Sequence, residues 1–418
     1  MSNSSSCAAP ESGATLTVAA AQRQILDTLQ PISGYEAVAV RDAFGRVLAR
    51  DVVAPFDVPA HDNSAMDGFA VRAEDLSAER PTTLQVVGTA LAGGGFSGIV
   101  GSGQAVRVMT GAVLPRGADV VVVQEVVREA GERGVEIPTG QRTGQNIRRA
   151  GEDIARGNVA LPAGKRVGAA ELGLLASLGI AEVAVVRRLR VAFLSTGDEL
   201  ASIGRSLAPG EVYDSNRYTL HGALRRLDVD LIDMGVVRDE PAAMESAFSL
   251  AAAQADVVIT TGGVSVGEAD FVKAMVARLG EVRFWKIAIK PGRPMAFGRI
   301  GDAWLFGLPG NPVAVMVAFY LFVADALRKL SGQDPLPVHP TLRAPCAGAI
   351  RKMKGRREFV RGILFEGDGG WQVRPGPLQG SGVLSSMSSA NCFIVLPEEG
   401  SDVAPGDLVE VQPFEGLW

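Results

Sequence analysis

The segment from Arg190 to Leu330 constrains the fold most, because short apolar runs alternate there with longer helical stretches. We expect strands at Val191–Leu194, Leu231–Val237, Val257–Thr260 and Phe284–Ile289. We expect helices at Arg217–Leu227, Pro241–Gln254, Ala269–Leu279 and Pro312–Leu330. Strands that alternate with helices of about ten or more residues are typical of a mostly parallel sheet covered on both faces. The pattern therefore predicts a three-layer α/β domain.

The rest of the chain predicts further domains, as a length of 418 residues suggests. Thr17–Leu29 has helical periodicity, and Ala169–Leu178 is a second helix that Gly179 ends. From Asp51 onward, short β-rich runs are separated by Gly and Pro clusters, which is typical of an all-β module. The last part of the chain is again strand-like. The expected division is a disordered tail (1–14), a mixed linker domain (15–50 and 145–185), a β-rich domain (51–144), the α/β domain (186–332) and a C-terminal β-barrel domain (333–418).

Composition and charge exclude several classes of function. The chain has 41 Lys and Arg against 46 Asp and Glu, a net charge of −5, so no basic excess favours nucleic acid as a partner. The 3 Cys and 3 His are far apart in the sequence, which opposes a zinc site or a disulfide framework. A metal would need oxygen ligands, and such ligands favour a hard ion such as Mg²⁺.

No segment predicts a membrane partner. The most apolar run, Val313–Val323, is much shorter than the roughly 20 residues that a spanning helix needs. The N-terminal residues are small and polar, without the basic and apolar regions of a secretory signal. We therefore expect a soluble, cytoplasmic protein.

A glycine-rich loop follows one of the predicted buried strands. The strand Val257–Thr260 continues into Thr261, Gly262, Gly263, Ser265 and Gly267, before a helix start near Asp270. Ligands of open α/β sheets bind beyond the carboxyl ends of the strands, and glycines let the backbone approach an anion. The alternative is an ordinary strand–turn–helix in which Asp270 compensates the helix dipole.

Acidic residues follow three of the predicted strands. Glu199, Asp239 and Asp270 would share one edge of the sheet, where convergent carboxylates suit Mg²⁺ held together with phosphate oxygens. The alternative is helix capping at each site, which explains Asp239 before Pro241 well and Glu199 less well.

Two lysines occupy the segment Phe284–Ile289 and the residue after it. On an extended strand Lys286, Ala288 and Lys290 share one face. Since the chain has only 7 lysines against 34 arginines, the pair suggests compact charges that bind an oxyanion. A strand end that solvates its charges is the alternative.

Three polar segments of the β-rich part read as turns by their chemistry alone. They are 56–71, 107–112 and 145–153. Taken with the segments above, however, they form an ordered set of motifs: Asp-Asn-Ser-Ala-Met-Asp-Gly, Met-Thr-Gly-Ala, Gly-Gln-Asn-Ile-Arg-Arg, Gly-Glu-Asp, Ser-Thr-Gly-Asp-Glu-Leu, Thr-Gly-Gly-Val-Ser-Val-Gly-Glu-Ala-Asp, Ile-Lys-Pro-Gly-Arg-Pro and Gly-Leu-Pro-Gly-Asn-Pro-Val. In these motifs the sequence resembles the MoeA family of molybdopterin molybdenumtransferases, related to the gephyrin E domain, over about residues 17–418.

The resemblance implies a molybdopterin-binding α/β domain in a four-domain chain that forms an elongated homodimer. The family takes adenylylated molybdopterin and molybdate, requires Mg²⁺ and releases AMP. No Ser–His pair or cysteine nucleophile accompanies the motifs, which favours direct displacement over a covalent enzyme intermediate. The upstream molybdopterin adenylyltransferase and downstream cofactor-handling proteins are the expected partners.

The resemblance also implies site residues, matched position by position. Residues important for activity are Asp67, Thr110, Arg148, Asp153, Glu199, Asp239, Asp270, Lys286 and Lys290. Substrate-binding residues are Thr261, Gly262, Gly263, Ser265, Gly267, Pro309, Pro312, Arg361 and Ser381, and the metal ligands are Glu199, Asp239 and Asp270. The family's cleft joins the residues before position 154 to those after position 198 across the dimer. Ala150 stands where the family pattern has a further basic residue.

Two other functions compete with this interpretation. A molybdopterin adenylyltransferase shares the α/β fold but is a small single domain, whereas about half of this chain lies outside that fold. A non-enzymatic scaffold, like gephyrin in its clustering role, would not need the lysine pair or the acidic residues.

Overall fold

The computed structural model describes residues 15–262 and 278–415. The predicted tail, most of the predicted helix Ala269–Leu279, and four predicted site residues lie outside the described residues. Those site residues are Gly263, Ser265, Gly267 and Asp270.

The described chain begins with a short strand and a helix. Strand β1 (Thr15–Leu16) is followed by α1 (Val18–Thr28). Thr17 caps the helix, since its hydroxyl accepts a hydrogen bond of 3.2 Å from the Ala20 N–H. Val18, Ala21 and Ile25, which lie on one helical face, are buried. The predicted N-terminal helix is therefore confirmed.

Residues 35 to 186 form strands with little helix. The elements are β2 (Tyr35–Ala39), a 3₁₀ turn (Val40–Ala43), β3 (Val52–Val53), β4 (Asn63–Ser64), β5 (Gly68–Val71), β6 (Thr82–Ala90), β7 (Gln104–Val108), β8 (Val120–Val123), β9 (Arg128–Glu129), β10 (Gly134–Ile137), β11 (Ile147–Arg148), β12 (Val159–Leu161), α2 (Ala169–Ser177) and β13 (Glu182–Val186), with further 3₁₀ turns at Ala73–Asp75 and Gln124–Val126. Helix α2 ends just before Gly179, as the sequence predicted. The φ of Gly179 is +67°, a left-handed conformation that suits glycine after a helix.

The β-rich region forms one six-stranded sheet with the order β8-β5-β7-β6-β10-β9. Its strands bury side chains on both faces, because Ala70 and Val121 belong to one apolar cluster while Val71 and Val120 belong to another. Beside this sheet, β2 pairs with β13 and β3 pairs with β12, so residues from both flanks of the sheet form a separate small unit. The all-β character predicted for this part of the chain is confirmed.

The α/β region supplies the largest sheet. Its elements are β14 (Arg190–Thr196), β15 (Leu200–Ala201), β16 (Val212–Tyr213), α3 (Ser215–Arg225), β17 (Asp230–Val237), α4 (Pro241–Gln254), β18 (Val257–Thr261), β19 (Gly280–Ile287), β20 (Ile289–Lys290), β21 (Pro294–Ile300), β22 (Ala303–Leu308), α5 (Pro312–Ala318), a π-helical turn (Phe319–Val323) and α6 (Ala324–Leu330). The sheet order is β1-β19-β21-β22-β18-β14-β17. Separate apolar clusters cover its two faces, which confirms a three-layer arrangement.

The sheet differs from the sequence expectation in one part. Strands β22, β18, β14 and β17 are parallel neighbours, as expected. Strands β21 and β22 form an antiparallel hairpin, and β19 runs antiparallel to β21. The sequence analysis missed this hairpin, since its two strands are short apolar runs with no alternation. The predicted long helix Pro312–Leu330 is continuous but contains the π-helical turn.

A hydrogen-bonded ion pair joins β13 to the start of β18. The Arg187 Nη1 and Nη2 atoms donate to both carboxylate oxygens of Asp256 at 2.8 Å. Burial alone would raise the pKa of Asp256, but hydrogen bonds from Arg187 and then Arg190 outweigh burial and lower the pKa to about 2. The carboxylate therefore stays ionised and fixes this junction.

The C-terminal region forms the predicted barrel. Its elements are β23 (Leu342–Pro345), β24 (Arg357–Gly367), β25 (Gly370–Pro375), α7 (Ser385–Ser389), β26 (Cys392–Leu396) and β27 (Leu408–Pro413). The sheet order is β20-β24-β26-β27-β23, with β25 on β24. A bridge between Cys346 and Val373 brings the end of β23 to β25 and curls the sheet. Strand β20 comes from the α/β region, which the sequence analysis did not predict.

No helix in residues 15–262 or 278–415 combines the length and the apolar character that crossing a membrane requires.

Candidate active site

Two of the three predicted acidic residues, Glu199 and Asp239, follow the carboxyl ends of β14 and β17. The Asp239 N–H donates to Asp198 Oδ1 at 3.3 Å, so the two strand ends are joined. Glu199 is exposed, and its carboxylate lies over Gly197, where an added Cβ would be 2.7 Å from the Glu199 Oε2 atom. The structure therefore brings Glu199 and Asp239 to one edge, together with Asp198, which the sequence analysis did not single out.

A buried polar network lies beneath this edge. The Ser195 hydroxyl donates to Asp214 Oδ1 at 3.0 Å, and the Thr261 hydroxyl donates to Ser195 Oγ at 3.1 Å. Asp214 also caps α3 by accepting from the Arg217 N–H at 3.1 Å. Among the described residues, Asp214 Oδ2 and Thr196 Oγ1 have no hydrogen-bond partner although both atoms are buried. The sequence analysis missed this network, and only the helix-capping pattern at Asp214 could have indicated it.

Gly262 lies where three strand ends meet. Its φ is +90°, and a Cβ added there would lie 2.4 Å from the Thr196 carbonyl oxygen. Its N–H donates to the Leu308 carbonyl at 3.3 Å, and the next loop is held by the Asn216 side chain, which donates to the Gly310 carbonyl at 2.6 Å. Glycine is therefore required at position 262, and the loop of Pro309 and Pro312 lies beside it.

The lysine segment belongs to two sheets. Ile287 ends β19 in the large sheet, whereas Ile289 begins β20 in the barrel sheet. Trp285, Ile287 and Ile289 are buried while Lys286 and Lys290 are exposed, so the predicted separation of apolar and charged side chains is present. The Lys290 Nζ atom donates to Glu358 Oε2 at 3.1 Å.

Arg361 is a buried cation with neutral partners. The residue is 2% exposed. Its guanidinium donates to the Ser386 hydroxyl at 3.1 Å and to the Gly380 and Leu378 carbonyls at 3.0 and 3.4 Å. Burial lowers the pKa of Arg361 below its ordinary value. Within the described part of the chain no carboxylate bonds this guanidinium, so an anion is the partner that its chemistry favours.

Contacts connect Arg361 to the α/β region. The carbonyl of Ser381, which follows Gly380, accepts from the Val313 N–H of α5 at 3.0 Å. Lys290 and Arg361 lie on the neighbouring strands β20 and β24. The structure thus places Lys290, Arg361, Ser381 and the loop that ends at Pro312 along one junction between the barrel and the α/β sheet.

The predicted site residues before position 154 form a second group. Asp67 Oδ1 accepts from both the N–H and the hydroxyl of Thr110 at 2.7 Å, and these hydrogen bonds lower the pKa of Asp67. Arg148 lies opposite Asn63 in the pairing of β11 with β4. Arg148 and Asp153 are both exposed. The sequence analysis overlooked Asp62, which bonds the Arg149 side chain at 2.6 Å and the Ala150 N–H at 2.8 Å and so fixes the loop after Arg148.

The predicted Mg²⁺ ligands are only partly within the described residues. In residues 15–262 and 278–415 no group of three His, Cys, Asp or Glu side chains is arranged to hold a metal ion. The third predicted ligand, Asp270, is outside those ranges. The donor chemistry fits Mg²⁺ nonetheless, because Glu199 and Asp239 offer oxygen ligands at one edge.

Comparison with known proteins covers almost the whole chain. Residues 16–179 match the family described as MoeA N-terminal region (domain I and II), residues 192–329 match the probable molybdopterin binding domain, and residues 343–414 match the MoeA C-terminal region (domain IV). Molybdopterin molybdenumtransferase of Haemophilus influenzae is 44% identical over 96% of this chain and 99% of its own. The enzyme of the same name from a Nostoc strain is 38% identical over 87% of this chain and 85% of its own.

A solved structure supports the same relationship. The crystal structure of the molybdopterin biosynthesis moeA protein from Pyrococcus horikoshii matches with a TM-score of 0.82 at 30% identity, covering 96% of this chain and 100% of that chain. The long sequence matches exclude a single-domain adenylyltransferase and confirm the predicted family. The chain belongs to the MoeA family of molybdopterin molybdenumtransferases and acts in molybdenum cofactor biosynthesis by inserting molybdenum into molybdopterin.

Proposed function

We propose that the protein uses adenylylated molybdopterin and molybdate as its substrates and releases AMP. The observation that carries this proposal is Arg361, a buried guanidinium whose described partners are a hydroxyl and two carbonyls. Arg361, Ser381 and Lys290 would bind the molybdate dianion at the junction between the barrel and the α/β sheet. Lys286, exposed on the preceding strand, would add positive charge.

The adenylylated end of the pterin substrate would lie at the strand ends. Gly262 is partly exposed there, so its backbone can approach a phosphate group, and the buried Thr261 would support it. The chain continues with Gly263, Ser265 and Gly267, and we propose that their backbone N–H groups supply further donors. Pro309 and Pro312 would fix the neighbouring loop, and Thr196 and Asp214 would support the turn from below.

The acidic edge would hold Mg²⁺ through Glu199, Asp239 and Asp270. The fit rests on the donor set, since the Glu199 carboxylate is exposed and makes no hydrogen bond to a described residue. Bound Mg²⁺ would neutralise negative charge on the phosphate oxygens, including the charge that develops on departing AMP. The acidic side chains would thus hold the metal ion, while Lys286 and Lys290 would hold the incoming molybdate.

The β-rich region would complete the cleft from a second subunit. Asp67 and Thr110 bond each other, and Arg148 and Asp153 are exposed, so these four residues can face a ligand. We therefore propose a cytoplasmic homodimer with two shared clefts. An upstream adenylyltransferase would supply its substrate, and cofactor-handling proteins would receive its product.

The deciding experiment gives the purified protein adenylylated molybdopterin, molybdate and Mg²⁺ and measures AMP. We expect AMP release that requires molybdate and is lost in the Arg361→Met variant, which removes the charge and keeps much of the apolar volume. An adenylyltransferase would instead consume ATP and molybdopterin, and a scaffold would release no AMP.

A further inference from the structure

Glu358 is a buried carboxylate that bonds an exposed lysine of the proposed molybdate site. Its side chain is 3% exposed, whereas the side chain of Lys290 is 46% exposed. The pairing of β20 with β24 places Lys290 directly opposite Glu358, in the contact between the α/β region and the barrel. The Lys290 ammonium is therefore held from inside the protein while its outer side faces solvent.

A second lysine, Lys352, also lies close to the Glu358 carboxylate. The Lys352 side chain is fully buried, and its Nζ lies 3.8 Å from Glu358 Oε1. This ammonium also donates to the Met353 carbonyl at 2.6 Å and to the Arg356 carbonyl. The Met353 N–H donates to Glu358 Oε1 at 3.1 Å. Every oxygen of the carboxylate is thus occupied, one by Lys290 and the other by the loop that holds Lys352.

The stability of the fold does not by itself explain a buried carboxylate between two lysines. Desolvation of a buried ion pair often cancels its attraction, so an apolar pair would serve the core equally well. A carboxylate next to an anion site also opposes anion binding by its charge. Both costs are understandable if the carboxylate fixes the position of the neighbouring ammonium, since a lysine on a flexible stem otherwise samples many rotamers.

We infer that Glu358 is a positioning residue, which orders the Lys290 ammonium for the oxyanion while Lys352 balances the buried charge. The three side chains together keep one net positive charge, so the site retains its attraction for a dianion. This inference rests on the proposed function only in naming the oxyanion as molybdate.

The test is the double variant Glu358→Gln/Lys352→Met. It removes one negative and one positive charge, so the local net charge is unchanged and no buried ion is left without a partner. We expect the molybdate KM for AMP release to rise by about 10- to 30-fold with a smaller change in kcat. A 30-fold rise corresponds to about 2 kcal/mol at 1.4 kcal/mol per tenfold, which is the rotamer entropy of a lysine side chain.

Glu358→Asp is the second variant, because it keeps the charge and withdraws the carboxylate by one methylene. We expect it to raise the molybdate KM as well. Lys354→Met is the matched control: Lys354 is exposed in the same loop, and its loss should leave the molybdate KM unchanged. Equilibrium dialysis with molybdate alone, measured as bound molybdenum, should rank the four proteins in the same order as the KM values.

The outcomes separate this inference from the proposed function. Unchanged or tighter molybdate binding in folded Glu358→Asp, or in the folded double variant, would overturn the positioning role. If the unmodified protein binds molybdate but releases no AMP, the dialysis ranking still decides the role of Glu358. If the unmodified protein binds no molybdate, both ideas are wrong.

Discussion

Lys290→Met is the substitution that most directly tests the proposed molybdate site. It removes the ammonium that bonds Glu358 at 3.1 Å and keeps much of the apolar stem. The side chain is 46% exposed, so its removal opens no cavity in the core. The variant therefore changes charge at the junction with little change in packing.

The expected size of the effect follows from the interactions that Glu358 and the oxyanion each lose. Glu358 retains the Met353 N–H at 3.1 Å and the Lys352 ammonium at 3.8 Å, so the buried carboxylate does not become an unpaired charge. The fold should consequently tolerate the change. The oxyanion loses one charge-assisted hydrogen bond of about 1.5–3 kcal/mol, which corresponds to roughly 10- to 150-fold in affinity.

The assay is AMP release as a function of molybdate concentration, with the thermal unfolding midpoint as the measure of folding. We expect a rise of at least about tenfold in the molybdate requirement and a midpoint near that of the unmodified protein. Lys354→Met removes an exposed lysine from a neighbouring loop and should change neither quantity. An unchanged molybdate dependence in folded Lys290→Met protein would refute the reasoning and leave Lys290 as a solvated strand end.

Three other predictions test the stability of the fold and the assembly of the site. Because hydrogen bonds from Arg187 and a second arginine lower the pKa of Asp256 to about 2, this carboxylate stabilises the fold above pH 4 and less as the pH falls toward 2. Asp256→Asn should therefore lower the unfolding midpoint at pH 7, by the equivalent of roughly 1–2 kcal/mol because solvent screens the partly exposed arginines, and by much less at pH 2.5, as measured by thermal unfolding. Gly262→Ala, with φ at +90° and a backbone oxygen 2.4 Å from the new Cβ, should abolish AMP release, and normal activity would show that the turn adapts. Mixed Asp67→Ala and Arg361→Met chains should recover AMP release through heterodimers, whereas exchanged dimers without recovery would count against a shared cleft.

Much of the fold could be predicted because its elements carry local signals. Helix α4 begins at Pro241, and the predicted and observed bounds, Pro241–Gln254, are the same. The hairpin of β21 and β22 was missed, since largely buried strands have no alternation of apolar and polar residues to separate them from other apolar runs.

The site was only partly predictable for a related reason. Side chains such as Asp67 and Lys290 belong to recognisable motifs, so the sequence indicates them. The residue that bonds Lys290 belongs to no such motif. Glu358 is 68 positions from Lys290 and becomes its neighbour only when β20 joins the barrel sheet. The Ser195–Asp214 network is similarly formed by strand ends that the sequence keeps apart.

The path of the lysine segment has a consequence for how the anion site works. Lys286 lies on β19, next to β1 and β21 in the large sheet, whereas Lys290 lies on β20, next to β24 in the barrel sheet. Only Ala288 separates the two strands, and its carbonyl accepts the Arg357 N–H of the barrel at 2.8 Å. A rotation of the barrel against the α/β sheet would therefore move one ammonium relative to the other. The geometry of the proposed anion site would thus depend on the C-terminal domain as much as on the α/β domain, although the α/β domain alone carries the molybdopterin-binding fold.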